Sequence, residues 1–503
     1  MSHLRRIRAY LREQIKGTWT TEHKNTEAYA KDQSVFRLQP RVVVVPKDLE
    51  DLARVLALGR EEGLPVTPRG GGSSTGGASV GSGIVVDTRG EQFSRIMVSE
   101  GPEGPVVTAG PGVRHDRVQS AFRERGYYLP SDPSSGPLSY LGGNIATKAS
   151  GAHALRHGAI DRYLRRVEVM LPDGTLLGSA DALPPEVTRS LDEAPVSKLS
   201  HPGLAKCASG YNLSGALRAG TPEGRLAGLV CGAVGTLGVV TQAVLSGEPV
   251  EPERSLAVLG FSGAPEATDA VGRLLALDPA AIELLDEGCV GLMPPEVFFA
   301  KPLKGAALVL ELEGAASGER AREAVSQGEP AFSWVWDGNA DAEIVREFWK
   351  GRKRMLFSVK QQAGGDGAPS LINDIGVPVP RLRGFVEDVG RLVAGYCPKL
   401  FVYGHAGSGN LHLRPDVRGV PPERQVAMAR AVYELVLAYA GTVTGEHGMG
   451  RLRAPWLRRE WGPEVYAIMK SIKEAVDPTG MMNPETMFTD CSFERMMEKA
   501  SLG

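Results

Sequence analysis

Cysteine is the first scarcity. Only five of the 503 residues are cysteine (Cys207, Cys231, Cys289, Cys397 and Cys491), an odd number with no CxxC pair and no ferredoxin-like run. That spacing excludes a disulfide framework and an iron–sulfur cluster carried by this chain, and it fits a reducing compartment. Excess charge is missing too. With 57 Lys+Arg against 59 Asp+Glu, there is no electrostatic footprint for nucleic acid. Long apolar runs are absent as well. Leu226 to Leu245 is almost free of charge, but glycines and a turn-like Ala233-Val234-Gly235-Thr236 interrupt it. It reads as buried strands around a Gly turn, not as a transmembrane helix. Met1 to Lys16 is basic with scattered apolar residues and lacks an apolar h-region. That reads as a surface helix, not a secretory signal.

Glycine, by contrast, is abundant. The 62 glycines follow no collagen-like period and gather beside apparent strands, as where backbone must approach something closely. A chain of this length with 42% hydrophobic residues predicts two or more domains. Arg41 to Pro46 is a short apolar run, the pattern of a buried strand. Asp48 to Gly63 predicts an amphipathic helix with Leu49, Leu52, Ala53, Leu56 and Ala57 on one face. Leu64 to Thr67 and Gly83 to Asp87 are predicted strands, and Pro68-Arg69-Gly70-Gly71-Gly72-Ser73-Ser74-Thr75-Gly76-Gly77 joins them. No Lys follows the glycines, which excludes a Walker loop. They lead to a strand instead of opening a helix, which excludes a Rossmann fingerprint. What remains is a loop of exposed amides able to wrap a pyrophosphate, with hydroxyls added by Ser73, Ser74 and Thr75.

Two further segments share this character. Leu129-Pro130-Ser131-Asp132-Pro133-Ser134-Ser135 precedes Gly142-Gly143-Asn144-Ile145-Ala146-Thr147, Gly151 and Arg156-His157-Gly158. Prolines fix this chain, and small residues let a flat ligand lie against it. Arg165 to Leu171 is a predicted strand. Gly232 to Thr241 is the third Gly-rich piece. Near the C-terminus, Gly404 to His412 and Gly445-Glu446-His447-Gly448 place three of the chain's 9 His and a Glu in two Gly-flanked segments. Two His and one Glu suffice to hold a divalent metal with positions left open, and a further His could take a proton. Phe401 to His405 and Leu411 to Arg414 read as hairpin strands that bring His405 and His412 together.

Pro68 to Gly77, Asp132 to Ser135, Gly142-Gly143-Asn144 and Gly235 to Thr241 together resemble the FAD-binding half of vanillyl-alcohol-oxidase-type (PCMH) flavoproteins. Gly404 to His412, Gly445 to Gly448, and Val476-Asp477-Pro478 with Asn483-Pro484 are similar to the branch that holds D-lactate dehydrogenases, D-2-hydroxyglutarate dehydrogenases and the flavin subunit of glycolate oxidase. The resemblance runs from about Arg41 to Phe488. It implies an α+β protein with a two-subdomain FAD-binding domain and an α+β cap domain carrying an antiparallel sheet. The implied segments are 1–35 (N-terminal, helical), 36–247 (FAD-binding), 248–440 (cap) and 441–503 (returning to the FAD domain).

The resemblance further implies FAD contacts from Pro68, Arg69, Gly70, Gly71, Gly72, Ser73, Ser74 and Gly77. Others are implied from Pro130, Asp132, Ser134, Gly142, Gly143, Asn144, Ala146, Thr147, Gly151, His157 and Gly158, and from Gly235, Gly238, Val240, Glu446 and Asn483. With no His or Cys in the 70–77 loop, the FAD is expected to be non-covalent. His405, His412 and Glu446 are implied ligands of a divalent metal (zinc, iron or manganese), and His447 the implied base. Arg352 is implied to hold the substrate carboxylate, although Lys350, Lys353 and Arg354 around it also suit a solvated helix face.

The implied activity is oxidation of a small 2-hydroxy acid, of D-lactate or glycolate type, to the 2-oxo acid. Electrons would pass to an iron–sulfur subunit, an electron-transfer flavoprotein or a quinone. The expected location is cytoplasmic, with peripheral membrane association through a partner. Three departures stand out. Ser408 replaces the family's usual Asp, Ala233-Val234 replaces Ser-Glu, and Ile372 lies where the D-2-hydroxyglutarate enzymes place a Lys, which favours a monocarboxylate. The competing readings are a non-redox FAD synthase of the same fold and an electron-relay subunit.

Overall fold

The computed structural model describes residues 3–178, 183–201, 203–251, 253–294, 304–338, 340–365 and 367–500. Val42–Val45, a run of four valines, forms a central strand because both its faces are covered. It pairs in parallel with Ile84–Asp87, which pairs in parallel with Val66–Arg69. Thr18–Thr20 completes this four-stranded sheet from the antiparallel side. The Leu49–Glu61 helix opens on Asp48, whose side chain accepts the amide of Asp51. Its apolar face joins Ile7 and Leu11 of the His3–Gln14 helix against this sheet. The N-terminal segment is therefore not wholly helical, and its His3–Gln14 helix lies on the surface, anchored by two side chains. Ile7 and Leu11 are buried, and Thr18–Thr20 is an edge strand.

A second, five-stranded antiparallel sheet runs in the order Ile96–Gly101, Gly104–Ala109, Val239–Ser246, Leu164–Met170, Leu176–Leu177. The third sheet has seven strands, all antiparallel. Its order is Phe332–Asp337, Arg254–Phe261, Ala306–Glu313, Ala281–Leu285, Leu400–His405, Asn410–Pro415, Ile375–Gly376. The C-terminal part comes back to the first sheet. Val66 bridges Met482 in parallel, and the amide of Asn483 donates to Val66 O at 2.8 Å.

The reading of Leu226 to Leu245 as strands is half wrong. Val239–Ser246 is a strand, but Pro222–Val230 is a helix. Thr221 caps it by accepting from Gly224 N, and Pro222 stands in its first turn. Its charge-free second half, 226–230, is buried, and the helix packs against the Leu213–Arg218 helix. At Gly228 an added Cβ would lie 2.5 Å from Ala216 N, so only glycine lets the two backbones meet. Gly228→Ala is expected to destabilise the chain by about 1–3 kcal/mol through overpacking, read as a lower urea midpoint. An unchanged midpoint would mean the helices separate at no cost.

Candidate functional site

A cavity of ≈ 470 Å³ lies between the three Gly-rich segments and the Ala342–Gln362 helix. Pro68, Arg69, Gly70, Gly71, Gly72, Ser73 and Ser74 line one wall. Among the described residues, no main-chain carbonyl accepts from the amides of Gly71, Gly72, Ser73 or Thr75. Uncommitted amides facing a cavity are what an anion cradle requires. A Cβ at Gly71 would sit 2.3 Å from Leu138 O, and Gly72 holds φ +69°. Side chains are thus excluded from that wall. Ser134, Gly142, Gly143, Asn144, Ala146 and Thr147 line the second wall, and Gly235, Gly238 and Val240 the third. A Cβ at Gly143 would meet open space. Glu446 and His447 close the far end.

Several predicted contacts do not line the cavity. Asn483 works behind it. Its Nδ2 donates to Ala78 O and Val234 O at 2.8 and 2.7 Å. Val234 N in turn donates to Ala146 O, so one amide side chain ties the walls together. Val234, where the family pattern has another residue, is held at φ +46°, a costly conformation for a β-branched residue. Gly77 packs with its α-carbon toward Phe36. Asp132 pairs with Lys353 at 2.5 Å and bridges Gly151. Pro130 is buried in the same stretch. His157 binds Glu313 at 2.9 Å and Tyr128, and Gly158 ends its helix. Arg69 lines the cavity, but its guanidinium donates to the carbonyls of Tyr29, Lys31 and Ser79. It fixes the loop and has little left for a ligand.

The hairpin Leu400–His405/Asn410–Pro415 forms as the sequence predicts, with Tyr403 opposite His412. Gly409 adopts φ +72° in the turn, and Ser408 Oγ donates to His405 O at 3.0 Å. Serine therefore closes the turn itself. One oxygen, Glu446 Oε1, faces three imidazoles. His405 Nε2 is 3.2 Å away, His412 Nε2 3.4 Å and His447 Nε2 3.6 Å. The His412 and His447 rings stack at 5.3 Å. Glu446 Oε2 accepts from Lys206 Nζ at 3.1 Å and Ser150 Oγ at 3.2 Å. On the outer side of His405, Nδ1 lies 2.5 Å from Glu283 Oε1, and Glu283 Oε2 accepts from Arg352 Nε at 2.5 Å. Arg352 is buried, not on a solvated face, and its Nη2 has no hydrogen-bond partner among the described residues.

Burial would favour the neutral form of these acids, but cations outweigh it. Lys206 and His405 hold Glu446 well below its ordinary range. Arg352 and His405 hold Glu283 down to about 2. Burial pushes His412 down to about 3 and lowers His447 against the pull of Asp374. A buried neutral imidazole keeps its lone pair for a metal or a proton. Asp374, His412, Glu446 and His447 also bring ligand atoms within 4.8 Å of one another. Asp374, however, is filled by the amides of Glu446 and His447, Thr444 Oγ1 and Asn410 Nδ2. The donor set with capacity left is His405, His412 and Glu446, with Glu283 behind His405 as the carboxylate that fixes a metal-ligating ring. It suits a borderline divalent cation. Glu283, Lys206 and Ser150 were missed from sequence. A lone carboxylate inside the apolar strand Ala281–Leu285 was the available signal for the first.

The arrangement defines a flavin-binding fold with a protic site at one end of the cavity. Residues 40–179 match the FAD binding domain model, and residues 250–487 match the C-terminal domain of FAD-linked oxidases. The chain belongs to that family, the PCMH-type FAD-linked oxidoreductases. It is 26% identical to glycolate oxidase subunit GlcD of Bacillus subtilis, covering 92% of each chain. It is 29% identical to a probable mitochondrial D-lactate dehydrogenase of Danio rerio, over 91% of this chain and 86% of that one. A D-2-hydroxyglutarate dehydrogenase of Pseudomonas putida is 26% identical over 94% of this chain and 51% of its own length. A solved structure of alkyldihydroxyacetonephosphate synthase superposes with TM-score 0.63 at 16% identity, covering 96% of this chain and 85% of that one. At that identity the likeness concerns the fold alone.

Two outcomes follow from this geometry. Gly71→Ala should lose most of its bound flavin absorbance while keeping its far-ultraviolet dichroism, and full flavin retention would remove the loop from the cradle. Glu283 gives a pH signature. Its ordinary value is 4.5 and its folded value about 2. Between these, the unfolded chain binds a proton that the folded chain does not, so stability falls on acidification. In Glu283→Gln the slope of urea-unfolding stability between pH 4.5 and 2 should be shallower than in the parent chain.

Proposed function

We propose that this chain is an FAD-dependent, metal-assisted dehydrogenase that oxidises a small 2-hydroxy acid, of D-lactate or glycolate type, to the 2-oxo acid. The observation that carries the reading is the convergence of three imidazole nitrogens on Glu446 Oε1, with Glu446 and His447 lining the cavity. In this reading 36–247 and 441–503 hold the dinucleotide, and 248–440 covers it.

FAD, when bound, would take the hydride from the substrate α-carbon. A divalent cation on His405, His412 and Glu446 would lower the pKa of the substrate hydroxyl. His447 receives the hydroxyl proton. Its Nδ1 is enclosed by Asn373 Nδ2 at 3.1 Å and Thr75 Oγ1 at 3.2 Å, with Asp374 Oδ2 at 3.7 Å. With the Asn373 amide turned so that its Oδ1, without a partner among the described residues, faces the ring, a proton on Nδ1 has Oδ1 and Thr75 Oγ1 as acceptors, which leaves the Nε2 lone pair facing the site. Once both nitrogens are protonated, Asp374 stabilises the cation. Arg352 Nη2 donates to the substrate carboxylate, oriented by the Glu283 contact on its Nε. Lys206 and Ser150 keep Glu446 ionised and turned toward the imidazoles.

Electrons then leave to a separate acceptor, an iron–sulfur protein, an electron-transfer flavoprotein or a quinone. Among the described residues no helix is long and apolar enough to cross a membrane, and a cytoplasmic location is proposed. The relatives that act on glycolate and D-lactate by name support the substrate class.

Anaerobic mixing with D-lactate, L-lactate or glycolate should bleach the flavin for at least one acid. His447→Asn should slow that bleaching about 10²–10⁴-fold with flavin still bound. Absence of bleaching by any 2-hydroxy acid in the metal-loaded flavoprotein would reject the assignment.

A further inference from the structure

A second group of metal-ligating side chains lies outside the flavin cavity. The ligand atoms of His201, Cys207 and Glu460 all fall within 4.8 Å of one another. They come from chain segments far apart in sequence, the 201–209 stretch and the start of the Leu457–Val476 helix. None is used by the chemistry above.

The Glu460 side chain is fully buried, at 0% exposure. Its Oε2 is committed, accepting from Ser209 Oγ at 2.9 Å and Val443 N at 3.3 Å. Its Oε1 has no hydrogen-bond partner among the described residues, and neither has His201 Nε2. Yet these two atoms are 3.1 Å apart. They approach without the alignment of a hydrogen bond, at a separation that serves an ion pair when the imidazole is protonated and two ligands of a common cation when it is not. Cys207 Sγ completes the group, with Thr442 Oγ1 at 3.5 Å as its hydroxyl neighbour. The Trp461 ring packs on His201 at 4.5 Å between centroids, and its Nε1 donates to Ser209 Oγ. The imidazole is therefore held by a tilted ring contact. A cavity of ≈ 200 Å³ borders His201, Cys207 and Trp461, enough for an ion and its water.

We propose that His201, Cys207 and Glu460 form a second metal site, one that takes a divalent cation of the zinc class. One thiolate, one imidazole and one carboxylate make a borderline-soft set that disfavours magnesium and calcium, and three protein ligands leave a fourth position for water. Two negative ligands balance the ion, and binding releases the thiol proton.

Its place in the fold gives the ion a structural task. Cys207 follows Lys206, whose Nζ holds Glu446 Oε2. Ala208 N donates to Thr444 O at 3.0 Å, and Glu460 holds Val443 N. The cation would thus fasten the 206–208 segment and the 443–446 segment from behind, at the point where both present side chains to the catalytic end of the cavity.

The test is X-ray absorption at the zinc edge, with metal content by mass spectrometry, on the zinc-loaded flavoprotein. A sulfur neighbour at about 2.3 Å is expected, because the His405–His412–Glu446 donor set contains no sulfur. The sulfur share per zinc should rise in His412→Ala, which weakens the other set, and vanish in Cys207→Ser with about one zinc fewer per chain. Absence of sulfur around zinc in the parent chain overturns the proposal, and that reading needs no variant to fold. Sulfur persisting in Cys207→Ser overturns it as well, since another cysteine would then be the ligand. Neither outcome depends on turnover of a hydroxy acid, so this proposal and the assigned activity can fail separately.

Discussion

The site rests on keeping one buried carboxylate ionised. Glu446 lies away from water, where an uncompensated charge would lose its proton. Its two oxygens are given different partners. Lys206 and Ser150 take Oε2, and the imidazoles of His405, His412 and His447 surround Oε1. The lysine offsets the charge from behind, and burial favours the neutral form of the His412 and His447 rings, whose lone pairs stay beside the front oxygen. Replacing Lys206 by an apolar residue would leave Glu446 to be compensated by imidazolium, which removes the very lone pairs a cation or a proton needs.

This arrangement is stable only because a second acid fixes the main chain. Asp374, itself fully buried, collects the amides of Glu446 and His447 together with Thr444 Oγ1 and Asn410 Nδ2. Its φ of +71° is a conformation that asparagine and aspartate tolerate better than most residues. A third acid, Glu283, sets the outer face of His405 and the inner face of Arg352 at once. The three acids act in layers: one sets backbone, one presents an oxygen, one orients a ring and a guanidinium. Breaking such a buried pair by removing one partner costs roughly 3–5 kcal/mol. The layers are therefore rigid relative to a ligand-sized displacement.

What the sequence disclosed, and what it hid, follows from range. The Gly70–Gly77 loop was legible because the argument is local: glycines between two apolar strands have few other uses. The hairpin carrying His405 and His412 was legible because period-two alternation and the Gly409 turn lie within a dozen residues. The Pro222–Val230 helix was misread because its second half, 226–230, is buried at every position, which erases the period that separates helix from strand. Glu283 and Lys206 were invisible because their partners stand 122 and 240 positions away. Asn483 and Arg69 were assigned to the cofactor by resemblance. The Arg69 guanidinium and Asn483 Nδ2 donate to main-chain carbonyls and so hold the cavity walls, while Arg69 still lines the cavity.

Cation accounting bears on what the proposed active site would accept. Lys353 lines the cavity but pairs with Asp132, and Arg69 is held by three carbonyls. Lys206 is shared between Gly151 O and Glu446. Arg352 keeps one buried Nη2 without a partner. Its Nε is tied to Glu283, so the free edge of the guanidinium can take a single carboxylate. A second carboxylate on the substrate would have to compete with Asp132 for Lys353, and the loser would be left charged and unpaired at the cavity wall. Such desolvated, unpaired groups discriminate more strongly than an added methylene does. On the proposed reading these commitments of Lys353 and Arg352 disfavour a second carboxylate beside them, and the apolar Ile372 directly precedes Asn373 and Asp374.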